Sequence, residues 1–412
     1  MTLTEQTRQL NHDLLGPIFY RFCYKLYLGQ RCQPIDNSQL LFLSRGGIRL
    51  RAFYETFLNA NNIESPIPFR DFYVSRMALI KASLHYAYEV VIDDFLGEYS
   101  WFTVDQAFRA FLQPDQYQEW ADCQHDYDRN GRVERLLIDQ VVWGESEAAD
   151  CLRHMLDEQY HNYQHYLSQT LGNRKNVLVV DTGWSGSILR FMQNLDPSRD
   201  YTALFFGRYN YGKPDPEWFN RVVGVEVQHP DFDRKIPVTA IFLNRHLIEG
   251  LCEIRWPSVT GYRKVSGDVV ESYEGCAPKG QIIPDESEPH AYGVYQYVNK
   301  AESGLNFEII NNRADRVAAS LCRRLMYPRK KDLPLLSVPT RSADFGKDLD
   351  VPFFAEPIRP AYHIRSKLRQ SKNSLWQTGQ LALEFGPFRV ISQFLYHRRK
   401  SIVASLSRLG VL

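Results

Sequence analysis

VLVVDTGWSGSIL, residues 177–189, is the stretch on which the fold turns. Four apolar residues, Val177 to Val180, run into Asp181. Thr182-Gly183-Trp184-Ser185-Gly186-Ser187 comes next, and then Ile188, Leu189 and Met192 recur at helical spacing. A short apolar run bounded by glycine is the pattern of a buried strand, and the residues after Ser187 have the pattern of a first helical turn. Strand, carboxylate, Gly/Ser loop and helix in that order make a place to hold a phosphate, because loop amides and a helix N-terminus point at the same spot.

The same rhythm recurs on both sides. QLLFLSRGGIRLRAFYETFL (39–58) predicts a strand over 39–43, a glycine turn over 44–47 and a helix over 48–58. FRDFYVSRMALIKASL (69–84) predicts a strand ending near Val74 and a helix from about Met77. YTALFFGRYNYGK (201–213) is a further apolar strand breaking into a glycine loop, and residues 13–29 and 85–172 read as helical. Strands alternating with helices predict an α/β domain whose largely parallel sheet is flanked by helices. The expected organisation is an α/β core over 1–265 with a helical insertion at about 85–172. A mixed extension over 266–360 comes after it, Pro-rich and irregular from 328, with the chain changing character at about 313. A basic helical region over 361–412 ends the chain.

Composition sets outer limits. With 412 residues, 44% hydrophobic and 24% charged, the chain is long enough for a sizeable core. A formal net charge of +1 gives no polyanion-binding signature, so no nucleic-acid partner is expected. Seven cysteines stand singly, at 23, 32, 123, 151, 252, 276 and 322, the pattern of buried free thiols rather than of a disulfide frame or metal site. The first residues, MTLTEQTRQLNHDLLG, lack the apolar run of a signal peptide, and no window approaches about 18 uninterrupted apolar residues. The expectation is a cytoplasmic protein. The region 361–412 carries nine cations against one acid, Glu384. Spacing over 388–408 predicts an amphipathic helix with Arg389, Arg398, Arg399, Lys400 and Arg408 on its polar face. Its apolar side would either pack on the domain or lie in an anionic headgroup layer.

Three loops leave strands at their carboxyl ends, where open α/β sheets bind ligands. Ser44-Arg45-Gly46-Gly47 offers backbone amides that an anion can approach closely, together with a forked cation. Ser75 and Arg76 put a second cation at a strand end. Thr182, Gly183, Trp184, Ser185, Gly186 and Ser187 supply amides and hydroxyls for a phosphate, leaving Asp181 for ribose hydroxyls or a metal. Two phosphate ends in one ligand fit this constellation. A P-loop is excluded, because no Lys-Ser/Thr follows the glycines.

LLFLSRGGIRLRAFYE resembles the pyrophosphate-loop region of type I phosphoribosyltransferases, and VLVVDTGWSGSIL resembles their motif for phosphoribosyl pyrophosphate (PRPP). The combination GPIFYRFCYKL, LLFLSRGG, YVSRMALI and VLVVDTGWSGSI resembles more closely a group encoded in bacterial capsule and O-antigen clusters, some of whose members are glycan phosphoribosyltransferases. The resemblance spans roughly residues 14–265. It implies a type I phosphoribosyltransferase-like core that transfers 5-phosphoribosyl from PRPP to a hydroxyl of a lipid-linked glycan. Pyrophosphate is released, and a phosphatase partner later leaves ribofuranose. It further implies Mg²⁺, held by Asp181 directly or through water, and peripheral contact with the inner face of the cytoplasmic membrane. Arg45 and Arg76 would neutralise the leaving group. Glu249, in NRHLIEGL, would be the base, and His246 a structural neighbour. Two departures stand out: the family's paired acids are Asp181-Thr182 here, and Gly46 occupies a position that is often Asp in the nearer group. Two alternatives are a PRPP-binding scaffold without activity and a haloacid-dehalogenase-type phosphatase. For the second, Asp93-Asp94 are adjacent where the chemistry needs a spacing of two.

Overall fold

The computed structural model describes residues 1–210, 216–229, 231–254, 258–267, 269–272, 282–300, 305–338, 341–343, 349–358 and 363–408. Cys276, Gly212 of the expected loop after residue 208, and parts of the 266–360 extension lie outside them, as does the side chain of Arg408.

Five strands form one all-parallel sheet: β1 (Ser38–Leu43), β2 (Phe69–Phe72), β3 (Asn176–Trp184), β4 (Asp200–Arg208) and β5 (Val222–Gln228), in the order β2-β1-β3-β4-β5. The central strands β1, β3 and β4 carry unbroken apolar runs because both faces of the sheet are covered there, whereas the edge strands β2 (Phe-Arg-Asp-Phe) and β5 mix buried and exposed positions. Successive side chains point to opposite faces, so Leu41, Leu43, Val177 and Val179 enter one apolar cluster while Leu40, Phe42, Leu178 and Val180 enter the other. The first cluster is completed by helices between Arg76 and Leu171 and by Ser187–Leu195. The second is completed by Gly16–Gln30, Gly46–Ala60, Arg245–Cys252, Pro289–Val298 and Phe307–Met326.

The strand order reverses between β1 and β3. Their carboxyl ends diverge there, leaving the crevice in which doubly wound sheets bind ligands. The α/β class with a parallel, helix-flanked sheet is thus present, and residues 85–172 hold five helices, Tyr88–Tyr99, Val104–Phe111, Pro114–Asp122, Arg135–Trp143 and Glu147–Leu171.

Two local expectations change. β3 does not end at Asp181 but runs through Trp184, because Gly183 and Trp184 stay in register with Gly207 and Arg208 of β4. Only Ser185 and Gly186 remain as loop before the helix Ser187–Leu195. The expected break near residue 313 falls inside the 20-residue helix Phe307–Met326. That helix is a continuous stripe: Ile310, Ala318, Leu321 and Leu325 join the cluster that also holds Phe19 and Phe53. As the helical reading of 85–172 expects, Val90 to Asp94 lie in the helix Tyr88–Tyr99, and Asp94 pairs with Arg190, so these acids stand at no strand end.

The basic region divides in two. Trp376 and Ala382 pack into the second cluster. Among its described side chains, the helix Arg389–Arg408 fully buries Gln393 and His397 while Val390, Ile391, Leu395 and Ile402 are exposed. Among the described residues, no helix is long and apolar enough to cross a membrane.

A candidate phosphate-binding active site

A cavity of ≈220 Å³ sits at the β1/β3 reversal. It is smaller than the roughly 300–1,000 Å³ of common ligand pockets. Its walls include Ser44, Arg45, Gly46, Ser75, Arg76, Asp181 to Ser187 and Glu249. Every residue that the sequence offered as a catalytic or phosphate-contacting group therefore lines it, save Gly47. An added Cβ on Gly47 would lie 2.4 Å from the Val180 carbonyl oxygen, so this glycine lets the helix Gly46–Ala60 start hard against β3. On Gly46 the same atom would stand 3.0 Å from Asp181 Oδ1 and from the Thr182 side chain, inside the site itself.

Three helices begin at this cavity. Gly46 opens Gly46–Ala60, Arg76 opens Arg76–Ser83 after its Ser75 cap, and Ser187 opens Ser187–Leu195 after Gly186. Gly186 has φ +75°, a left-handed conformation that glycine adopts without penalty. Each helix start presents amides without helical partners and the positive end of a dipole. Helix starts of this kind favour anions, while the Asp181, Glu249 and Glu253 carboxylates that also line the cavity oppose them.

The loop hydroxyls differ in what they do. Ser44 Oγ donates to the Val74 carbonyl at 2.7 Å and accepts from the Val74 N–H at 2.9 Å, bracing the first loop to the second. Ser75 Oγ accepts from the Ala78 N–H at 3.0 Å and donates to the Val259 carbonyl. Both serines are thus committed to holding the loops.

The cations are paired. Arg45 Nη1 lies 2.7 Å from Glu253 Oε1, with both side chains mostly buried. Arg76 Nη1 lies 3.3 Å from Glu98 Oε1 in a more exposed setting. An incoming phosphate would compete with these carboxylates for the guanidinium groups.

Asp181 is the central acid. Its carboxyl accepts from the Thr182 N–H at 2.8 Å. Desolvation pushes its pKa up to about 7, with the Glu249 charge adding to the rise, although amides of Thr182 and Gly47 oppose it. By exposed area Asp181 is only half-buried, because it faces the cavity. Protein encloses it on its other sides, and the solvent that reaches it is confined, so desolvation governs its charge.

Glu249 is not an ordinary surface residue of its helix. Trp184 Nε1 donates to Glu249 Oε1 at 2.7 Å, and His246 Nδ1 lies 3.1 Å from Oε2. The Trp184 ring finds room because β4 carries glycine opposite it: a Cβ on Gly207 would stand 2.5 Å from the ring.

Glu253, Ser258 and Val259 also line the cavity, and the sequence did not single them out. Glu253 lies just past the end of the helix Arg245–Cys252, in extended backbone, so its four-residue spacing from Glu249 was no signal of a shared helix face. Ser258 and Val259 had none. They are brought in by Ser75, and by Lys81 Nζ donating to the Thr260 carbonyl at 2.8 Å.

No group of three or more His, Cys, Asp or Glu among the described residues forms a ready metal cage. No family model matches the chain, and no curated protein is significantly similar to it. Function therefore has to come from the chemistry of the site.

Proposed function

We propose that the protein is a PRPP-dependent glycan phosphoribosyltransferase of type I phosphoribosyltransferase-like core, acting in bacterial capsule or O-antigen synthesis. The observation that carries this reading is the convergence of three helix N-termini and two arginines on one cavity floored by Asp181. A donor with a phosphate at one end and a pyrophosphate at the other matches that distribution of positive potential.

In this reading the amides and hydroxyls of Ser185 and Ser187 hold the 5-phosphate, and the loop Ser44–Gly47 with Arg76 holds the pyrophosphate. Asp181 faces the ribose hydroxyls. The bond from ribose C1 to pyrophosphate oxygen breaks, and the electron pair leaves with pyrophosphate. A bond from C1 to the acceptor hydroxyl oxygen forms on the opposite face, turning an α-configured donor into a β-ribofuranoside. Glu249 takes the hydroxyl proton, held in place by Trp184 and His246. Arg45 and Arg76 stabilise the charge that develops on the leaving group.

Mg²⁺ fits this donor set. It is commonly bound through one or two carboxylates plus substrate phosphates rather than by an all-protein cage, and Asp181 is the carboxylate that would hold it, directly or through water. When bound, it would supply charge neutralisation for the pyrophosphate.

The acceptor in this reading is a lipid-linked glycan, which places the enzyme at the inner face of the cytoplasmic membrane, with a phosphatase acting on the product. The test is release of pyrophosphate from PRPP in the presence and absence of a lipid-linked acceptor. Acceptor-dependent release supports the transferase. PRPP binding with no release under any acceptor would instead favour the non-catalytic scaffold.

A further inference from the structure

The helix Arg389–Arg408 is turned inside out. A helix packed on a water-soluble fold ordinarily buries its apolar stripe and exposes its polar one. Here the residues aimed at the fold are Gln393 and His397, both fully buried. Gln393 Nε2 donates to the Thr378 carbonyl at 3.0 Å, and His397 Nε2 to the Met326 carbonyl at 2.8 Å. The outward residues are apolar: Val390 is 51% exposed, Ile391 61%, Leu395 58% and Ile402 50%. At about 100° per residue, these four and Phe394 fall within one arc of roughly 140°. Phe388, 70% exposed, extends the patch from the preceding turn.

Charge decides what this face can meet. Residues 388–408 contain no Asp or Glu. Arg398 stands inside the apolar arc and Arg399 is exposed at its edge, while Lys400, also exposed, projects from the side of the helix that carries Gln393. Lys400 has its ammonium pKa lowered, first by desolvation and then by the like charges of Arg399, Arg245 and Lys372. A second copy of the chain docking through the same face would bring two such cationic clusters together. An anionic bilayer instead takes the apolar side chains at its acyl boundary and offers phosphates to the arginines, whose long stems snorkel to the headgroups.

We propose that the outward face of the helix Arg389–Arg408 is a docking surface for an anionic lipid bilayer. This deepens the acceptor half of the function proposed above and rests on it for its purpose, while the surface is defined by residues away from the donor cavity. Burial of Gln393 and His397 fixes which side of the helix faces out, so the apolar arc is presented continuously rather than only on unfolding.

The experiment is co-sedimentation of the full chain with phosphatidylcholine vesicles and with vesicles containing 30% phosphatidylglycerol (roughly the anionic content that gives such surfaces their potential). Binding is expected to the anionic vesicles, weakened by salt. The variant Ile391→Glu/Leu395→Glu, at two exposed positions, should bind at least tenfold more weakly with an unchanged melting temperature. Arg398→Ser/Arg399→Ser should lose about tenfold or more, at about 1 kcal/mol per cation near the surface. Failure of the full chain to bind anionic vesicles, or wild-type binding by the Ile391→Glu/Leu395→Glu variant, overturns the proposal. So does a dimer in solution that this variant dissociates, since the face would then be a contact between copies. Pyrophosphate release from PRPP, measured on the same preparations, reports separately on the donor site and keeps the two failures distinct.

Discussion

Trp184 Nε1 donates a hydrogen bond to Glu249 Oε1 across 2.7 Å, joining the end of β3 to the helix Arg245–Cys252. One residue ends β3 and the other comes from a segment 65 positions later. The bond turns two separate sequence signals into one wall of the cavity.

That bond holds the carboxylate proposed as the base. Trp184→Phe retains an aromatic ring against Gly207 but removes the donor. A hydrogen bond to a charged group contributes roughly 1.5–3 kcal/mol, so kcat for pyrophosphate release should fall tenfold or more while the KM for PRPP moves little. Glu249→Gln should cost about 10²–10⁴ in kcat, the range for a general base. Wild-type turnover by Glu249→Gln would remove Glu249 from proton transfer.

Asp181 links the site to stability. Its pKa is raised to about 7 in the fold, above its ordinary 3.8. Between about pH 4 and 7 the unfolded chain has already released this proton while the folded chain keeps it, so stability falls as pH rises through that window and levels off above it. Asp181→Asn removes the titration. The variant should melt at a higher temperature than wild type at pH 8, the two should converge near pH 4, and transfer should be abolished. An unchanged difference in melting temperature across that pH range would mean that Asp181 is not desolvated.

Arg45 is held by Glu253 at 2.7 Å, and that carboxylate competes with any incoming phosphate. Arg45→Ala and Arg76→Ala should each lower kcat/KM for PRPP at least tenfold. Glu253→Gln should do the opposite to affinity, tightening pyrophosphate binding measured by calorimetry. If both arginine variants behave as wild type, the pyrophosphate lies elsewhere.

Neighbouring glycines should respond differently. Gly47→Ala drives a methyl to 2.4 Å from the Val180 carbonyl oxygen, a backbone atom, and should lower the melting temperature markedly. Gly46→Ala places its methyl 3.0 Å from Asp181 Oδ1 and Thr182 within the cavity. It should leave the melting temperature close to wild type and weaken PRPP binding. Equal thermal losses in both would contradict the separation of a packing glycine from a site glycine.

The Ser185–Ser187 turn should discriminate for the phosphate end of the donor. Ribosyl pyrophosphate lacking the 5-phosphate leaves the amides of this turn without their dianion and should be a very poor donor in a pyrophosphate-release assay. Equal use of the two donors would count against placing the 5-phosphate there.

By itself the sequence determined the parallel sheet and most of the cavity wall. Strands buried on both faces must be continuous apolar runs, and loops that approach an anion must be rich in glycine and serine. Both constraints are local, so LLFLSRGG and VLVVDTGWSGS display them directly. Tertiary structure alone decided the rest. β3 runs on to Trp184 because Gly207, on the neighbouring strand, leaves space for the ring. Glu253 reaches the site through Arg45, and Val259 through Ser75, partners 184 positions apart in the second case. The helix Arg389–Arg408 was legible in the chain but its faces were not: Arg398 stands among the exposed apolar residues instead of sharing one polar face with Arg389 and Lys400, and the inward residues are Gln393 and His397. That choice goes with the Met326 carbonyl, which ends its helix without a helical donor and is satisfied by His397; an apolar side chain in that place would leave it unpaired, which costs more than exposing a leucine.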